Sequence, residues 1–429
     1  MSLSRRWLDP LRSRWWKRRR VRSPRLSTRN GLSLHLRLDD PYSYLVVQLV
    51  EQVNDLLVEK LKPLKLVLHT ASAGHDGPVW MRLEDWQQHV LQDAETLAHQ
   101  HRFIFQANAG FPDPAQMQQA LDILRYTALT GQDYLHLLQN LFHMVWQHQQ
   151  GKLATLHQMA LKRAMSEGKS RDFASQIIQF SEAPLPSAYW QFGGRRYQGI
   201  DDVLRLSRRL KKQRLLTAEP VLLINHIEWG EHLVSDPQLG DAQAVQARHA
   251  ELEMYVALED PLSWLLLDYL QREMLEYYNI RLNVFPVSYQ GRDRFDWELM
   301  MRLSRRIGVP FAPFCRPGPN SVFLMASALA SRNPEEIGAR LLTLLKPIWT
   351  RGRDVEFLPH QQELICKEEM AAAETTTEWL LENDRRWQAL GVPELPAFRL
   401  QVEGQTVHFG GLYRLWMLEA HLSDRLAQP

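Results

Sequence analysis

Apolar and polar positions follow the same order twice along this 429-residue chain. Residues 34–47 read LHLRLDDPYSYLVV, and residues 254–267 read MYVALEDPLSWLLL. In each, a short β-like apolar stretch runs into an acidic pair, then Pro, Ser and an aromatic residue, Tyr44 or Trp264. An amphipathic helical pattern follows, to about Lys60 and Tyr278. Further apolar stretches come next, at 64–68 and 280–287. Strand, helix and strand in that order predict a parallel crossover.

The later parts of the two copies match as well. Residues 185–194, LPSAYWQFGG, and 395–404, LPAFRLQVEG, each give Leu-Pro, an extended stretch and a glycine turn. A second short strand is predicted at 195–197 and 405–409, then a glycine (Gly199, Gly410) and a leucine-rich closing helix. Helical periodicity fills the middle: Met117, Leu121, Leu124 and Ala128 share one face, as do Ile337, Leu341, Leu344 and Ile348. Each copy is therefore read as β-α-β, a helical insertion, then β-β-α. The expected division is a basic tail at 1–30, domain one at 31–212, a connector at 213–248 and domain two at 249–425. The fold class is α/β.

Charge changes the picture only at the front of the chain. Residues 1–29 hold 11 basic residues and one acid, Asp9, which leaves the remaining 400 residues at net −8 under an overall +2. Leu3, Trp7, Leu11 and Trp15 recur every four residues among the arginines, although Pro10 interrupts a helix there. No apolar stretch follows Arg5 and Arg6, so the segment is not a secretory signal. Three readings stand: a solvated tail, a tether to an anionic membrane, or a nucleic-acid arm. No run of 18 apolar residues crosses a bilayer.

The two cysteines, Cys315 and Cys366, form no C-x-x-C pair and no zinc spacing, which argues against disulfide shuttling and a structural metal. Low cysteine use fits a reducing cytosol, so a cytoplasmic protein is expected, peripheral to a membrane if the tail binds one. EGKS at 167–170 lacks the earlier glycine of a phosphate loop, since Arg163 stands there. His226 and His232, with Glu228 and Glu231, lack H-E-x-x-H spacing. His99 and His101 are read as solvated. Arg302, Arg305 and Arg306 are read as a solvated helix face, with a substrate carboxylate as the alternative.

Three segments together resemble one family. DDPYSYL and EDPLSWL are similar to the S-P-[YF]-S-[YW]-L motif of kappa-class glutathione transferases and 2-hydroxychromene-2-carboxylate isomerases, a DsbA-like branch of the thioredoxin superfamily. Residues 302–321 are similar to that family's arginine-rich helix, its G-[IV]-P-F turn and its P-x-N-[ST] segment. Residues 391–411 are similar to its G-V-P-x-F-x-x-x-G-x-x-F-x-G ending. The resemblance implies two tandem thioredoxin-like domains, each with a helical insertion. It implies cis-prolines at Pro186 and Pro396, and backbone contacts to glutathione from Leu185 and Leu395. It places Asp40, Ser43, Asp260 and Ser263 at the reacting end of the site, and Asp201 and Trp264 among the binding residues. Tyr44 and Trp264 are read from their own pattern as core aromatics.

The departures from that pattern are specific. The serine that the family places before the proline, against the glutathione sulfur, is Asp40 in one copy and Asp260 in the other. A carboxylate held ionised at a helix start would repel a thiolate. Asp followed by Pro is also a good helix start with no chemistry attached. The closing G-Q-D-R-L pattern becomes GIDDVL, with Asp202 at the arginine position, and GGLYRL, with Leu412 and Tyr413 at the charged positions. Two functions remain open: a thioredoxin-fold protein with a degenerate or repurposed glutathione-type site that binds a peptide or partner protein, or an active glutathione-dependent isomerase or transferase for a small hydrophobic electrophile.

Overall fold

The alternation S-L-H-L-R forms strand β1 (Ser33–Arg37). Leu34 and Leu36 point into the core, and Ser33, His35 and Arg37 point to the opposite face. The computed structural model describes residues 31–62, 64–70, 78–127, 132–167, 178–185, 187–218, 249–288, 297–312, 316–365 and 370–422. The basic tail, Cys315, Cys366, Pro186, Ala128, the 168–170 segment and the His226/His232 pair lie outside them, as does most of the connector. Two units are distinguished, Met1–Asp76 with Val90–Asn225, and Gly77–His89 with His226–Pro429.

In the first unit, β1 pairs in parallel with β2 (Lys65–His69), which pairs in parallel with β3 (Ile178–Ser181). On the other side β4 (Tyr189–Phe192) runs antiparallel to β1, and β5 (Arg195–Gln198) antiparallel to β4. The order is β3-β2-β1-β4-β5. Helices α1 (Pro41–Val47) and α2 (Val50–Leu56) make the crossover. The insertion consists of α3 (Leu83–His101), which belongs to this unit from Val90 onward, α4 (Pro114–Tyr126), α5 (Gln132–Trp146) and α6 (Gln150–Glu167), and α7 (Val203–Lys212) closes the unit.

In the second unit, β6 (Ala250–Ala257) pairs in parallel with β7 (Ile280–Val287) and antiparallel with β8 (Ala397–Val402). Strand β9 (Gln405–Gly410) completes the order β7-β6-β8-β9. The crossover is α8 (Pro261–Tyr269), a π-helical turn (Leu270–Met274) and α9 (Leu275–Tyr278), ended by Asn279 in the left-handed region at φ 50°. Then come α10 (Trp297–Arg306), α11 (Pro319–Ser327), α12 (Pro334–Arg351), α13 (Leu358–Leu364), α14 (Ala373–Ala389) and the closing α15 (Trp416–Leu422). Both sheets thus hold a parallel crossover whose first strand also pairs antiparallel with a terminal hairpin. That is the thioredoxin-like arrangement.

Three expectations are corrected. Strand β3 lies where only helical insertion was expected; its IQFS sequence is too short for a periodic signal, and only pairing with β2 reveals it. The single helix expected to run to Lys60 breaks after Val47, where the Gln48 side chain donates to the Tyr44 carbonyl and to Ile104 of a distant loop. His101 is buried against Phe103 rather than solvated, while His99 is exposed.

Each unit has its own core. The Leu121 and Leu124 face of α4 packs into the first. Ile337, Leu341, Leu344 and Ile348 of α12 pack into the second with Trp264. Tyr44 and Trp264 are both about 1% exposed, which confirms their reading as core aromatics.

Candidate functional site

Asp-Pro-x-Ser starts the crossover helix in both units, and the local chemistry is nearly the same. Asp40 and Asp260 take extended backbone angles at the N-cap, with Pro41 and Pro261 opening the helix. Ser43 N donates to Asp40 Oδ2 at 2.9 Å, and Ser43 Oγ donates to the same oxygen at 2.6 Å. Ser263 N and Oγ donate to Asp260 Oδ2 at 3.1 and 2.9 Å. Each serine oxygen also accepts from the backbone at the end of the preceding strand, Arg37 N at 3.0 Å and Ala257 N at 3.3 Å. Asp40, Ser43, Asp260 and Ser263 are thus brought together in pairs, one pair per unit, and all four are buried.

Burial sets the acidity of both carboxyls. It pushes Asp40 up to about 6, against the opposing pull of the Ser43 hydroxyl and the Arg37 charge. It pushes Asp260 up to about 6, against the Leu262 and Ser263 donors and Arg316. At about 6 each carboxyl is still mostly ionised at neutral pH, although desolvation works against the first-turn dipole and hydrogen bonds that favour the charged form. Glu259, next to Asp260, is also pushed up by burial, and its partner Arg316 Nη2 stands 3.6 Å from Oε1.

The third side of each cap differs. In the first unit, Ala188 N donates to Asp40 Oδ2 at 3.0 Å. In the second, Leu262 N supplies a further bond, to Asp260 Oδ1 at 3.1 Å. The strand registers explain the difference. Tyr189 opposes His35, so Ala188 is next along the ladder. Ala397 opposes Tyr255, so the corresponding residue is Pro396, which has no N–H. The peptide Leu395–Pro396 is cis, as the resemblance implied. Ala188, two residues past the Pro of the first Leu-Pro in sequence, therefore stands where Pro396 itself stands in the second unit.

The remaining expected residues fall in several places. Leu185 is buried, and its carbonyl accepts from Arg37 Nη1, so the backbone oxygen expected to hold glutathione is taken internally. Leu395 is half-buried beside the cluster of Tyr255, Phe285, Val287 and Trp387. Asp201 is half-buried ahead of α7, where Asp202 forms the buried cap and accepts from Gln198 N at 2.8 Å. Trp264 lies inside the core against Phe311, at a ring-centroid distance of 6.5 Å. Arg305 and Arg306 are exposed and Arg302 half-buried. Among the described residues, no group of three or more His, Cys, Asp or Glu gathers as a metal site, and no helix is long and apolar enough to cross a membrane.

One polar constellation was missed from sequence. His69 Nδ1 lies 2.8 Å from the Ala183 carbonyl, which can only accept, so that nitrogen carries the proton. His69 Nε2 then accepts from His35 Nδ1 at 3.1 Å, and His35 Nε2 accepts from Ser33 Oγ at 3.3 Å. Burial, then His69 and Arg196, lower His35 to about 4. Its ring stacks on Tyr189 at 4.2 Å. The polar positions of S-L-H-L-R were the available signal; the pairing of β1 with β2 supplied the partner.

No protein-family model matches the chain, and no curated protein aligns with it. Among solved structures, it is similar to a 2-hydroxychromene-2-carboxylate isomerase at 15% identity and a TM-score of 0.31, over 42% of this chain and 96% of that one. It is also similar to a candidate protein disulfide isomerase from Nitrosomonas europaea at 11% identity and a TM-score of 0.31, over 40% and 98%.

Proposed function

We propose that the chain is a duplicated thioredoxin-fold protein, with domains at 31–212 and 249–425, whose two glutathione-type sites have been withdrawn from thiol chemistry and which serves as a binding scaffold. One observation carries this reading: Asp40 and Asp260, which align with the serine that the resembled family sets against the glutathione sulfur, each take up the donors of their own helix start. An ionised carboxylate there opposes a second anion, and a protonated one still fills the space. The partner is an extended peptide segment of another protein, laid against Leu395 beside the cis Pro396 of the second unit. The first unit is less suited, because Arg37 holds the Leu185 carbonyl. The basic tail tethers the protein to a polyanionic surface.

A second reading is favoured by the acidity of the caps. A carboxyl near 6 exchanges its proton close to neutral pH, which suits an acid-base role in a glutathione-dependent isomerase. Titration calorimetry of glutathione into wild type and Asp260→Ser separates the two. Serine preserves the helix cap, so the fold is retained. Binding to Asp260→Ser alone supports the withdrawn site, and binding to neither supports a scaffold remote from thiols. Binding to wild type in the micromolar-to-millimolar range, about −4 to −8 kcal/mol, sinks the scaffold reading.

A further inference from the structure

Residues Gly77–His89 belong to the second unit, although the first unit flanks them in sequence on both sides. They meet an aromatic patch that is separate from the main core of that unit. Along β6, Met254 and Val256 point into the main core, so Tyr255 between them points to the opposite sheet face. Tyr255 opposes Phe285 on β7 and Ala397 on β8, which makes one row across three strands. The Tyr255 and Phe285 rings stack at 5.2 Å, and Trp387 of α14 joins them. Leu395, before the cis Pro396, packs against this patch, and so does Trp80. Trp80 meets Trp387 edge to face, with ring centroids 5.1 Å apart. Further along the segment, His89 Nε2 stands 3.4 Å from Glu394 Oε2, one residue before Leu395.

Local bonds give the segment its shape. Met81 N donates to the Pro78 carbonyl at 3.0 Å, Trp86 N to the Arg82 carbonyl at 3.0 Å, and Arg82 Nε to Asp85 Oδ2 at 2.8 Å. Val79 and Leu83, on either side of Trp80, are exposed. One tryptophan laid on an aromatic patch between exposed apolar neighbours is how a peptide docks through a single anchor. We infer, on the scaffold reading above, that Pro78–His89 is a built-in stand-in for the peptide partner. Trp80 closes the patch beside Leu395, and the partner is a segment with its own tryptophan anchor that docks when Trp80 leaves. A tethered segment competes at a millimolar effective concentration, so a peptide with a Kd on the order of 100 μM for the open patch is weakened about tenfold.

The test is fluorescence anisotropy of a labelled peptide with the sequence of residues 78–89, PVWMRLEDWQQH, titrated with the full chain. Wild type, Trp80→Ala, Trp80→Phe and Trp80→Ala/Leu395→Arg are compared, with circular dichroism to check that each is folded. The expected result is binding to Trp80→Ala about tenfold or more tighter than to wild type. Trp80→Phe, which keeps a ring on Trp387, should stay close to wild type, and Leu395→Arg should remove the binding. The peptide carrying Trp80→Ala should bind none of them. Unfolding of Trp80→Ala marks Trp80 as part of the core and overturns the proposal. Equal affinity for wild type and Trp80→Ala also overturns it, although loss of that binding on adding Leu395→Arg would leave the patch standing as a peptide site. Binding to no variant removes the peptide site as well. A concentration-dependent dimer of wild type that Trp80→Ala abolishes, seen by sedimentation velocity, assigns the patch to a second copy and overturns the partner.

Discussion

The Ala188 amide donates to Asp40 Oδ2 at 3.0 Å, which links the strand after the Leu-Pro turn to the start of the crossover helix. In the second unit the matching ladder position is Pro396, which has no proton to give, and Asp260 divides its acceptors between Oδ1 and Oδ2. Two near-identical sequence motifs therefore produce caps with different tolerance to change.

Asparagine tests that difference. In Asp40→Asn, one amide oxygen can receive the three bonds that converge on Oδ2, and stability at pH 7 should stay within about 1 kcal/mol of wild type. In Asp260→Asn, the amide nitrogen must face either the Leu262 N–H or the Ser263 donors, with a loss of about 2 kcal/mol. Urea unfolding of the two variants measures the gap, and equal losses would refute the assignment of donors.

The buried carboxyls also set a pH dependence. Each has its folded pKa raised from 3.8 to about 6, so the folded state holds more protons than the unfolded chain between those values. The stability they contribute is fully present below pH 3.8 and lost as pH rises through about 6, about 3 kcal/mol for each. The stability of wild type relative to Asp40→Asn should fall by about that amount between pH 4 and pH 7. A pH-independent difference would mean that Asp40 titrates normally.

His35 works in the opposite direction. Its folded pKa is lowered to about 4 from 6.5, so its contribution is present above 6.5 and lost as pH falls through about 4. His35→Phe keeps a ring on Tyr189 but leaves His69 Nε2 without its donor. The variant should lose about 1–2 kcal/mol at pH 7, and the deficit should shrink by pH 4.5. Melting temperatures across that range provide the check.

Gly410 and Gly199, matched by sequence, should respond unequally to alanine. A Cβ on Gly410 would lie 2.8 Å from the Glu394 carbonyl oxygen and 2.6 Å from Val392 Cγ1, whereas on Gly199 its nearest neighbour is the Ala188 carbonyl oxygen at 3.3 Å. Gly410→Ala should cost about 3 kcal/mol and Gly199→Ala about 1 kcal/mol or less, as read from urea midpoints.

The sequence by itself determined the parallel crossovers, the hairpins and the Asp-Pro helix starts. Each rests on local chemistry: alternation in β1, a proline at the first helical position, and glycine turns after β4 and β8. Only the tertiary structure decided that IQFS joins β2 as a strand, since four residues carry no period of their own. It also decided the two-residue difference in register that sets His35 against Tyr189 but Tyr255 against Ala397, because register is set by how whole faces pack and not by any one motif. The high pKa of Asp40 and Asp260 was hidden for the same reason. Helix-start chemistry is written in adjacent residues, whereas desolvation comes from the core assembled around them.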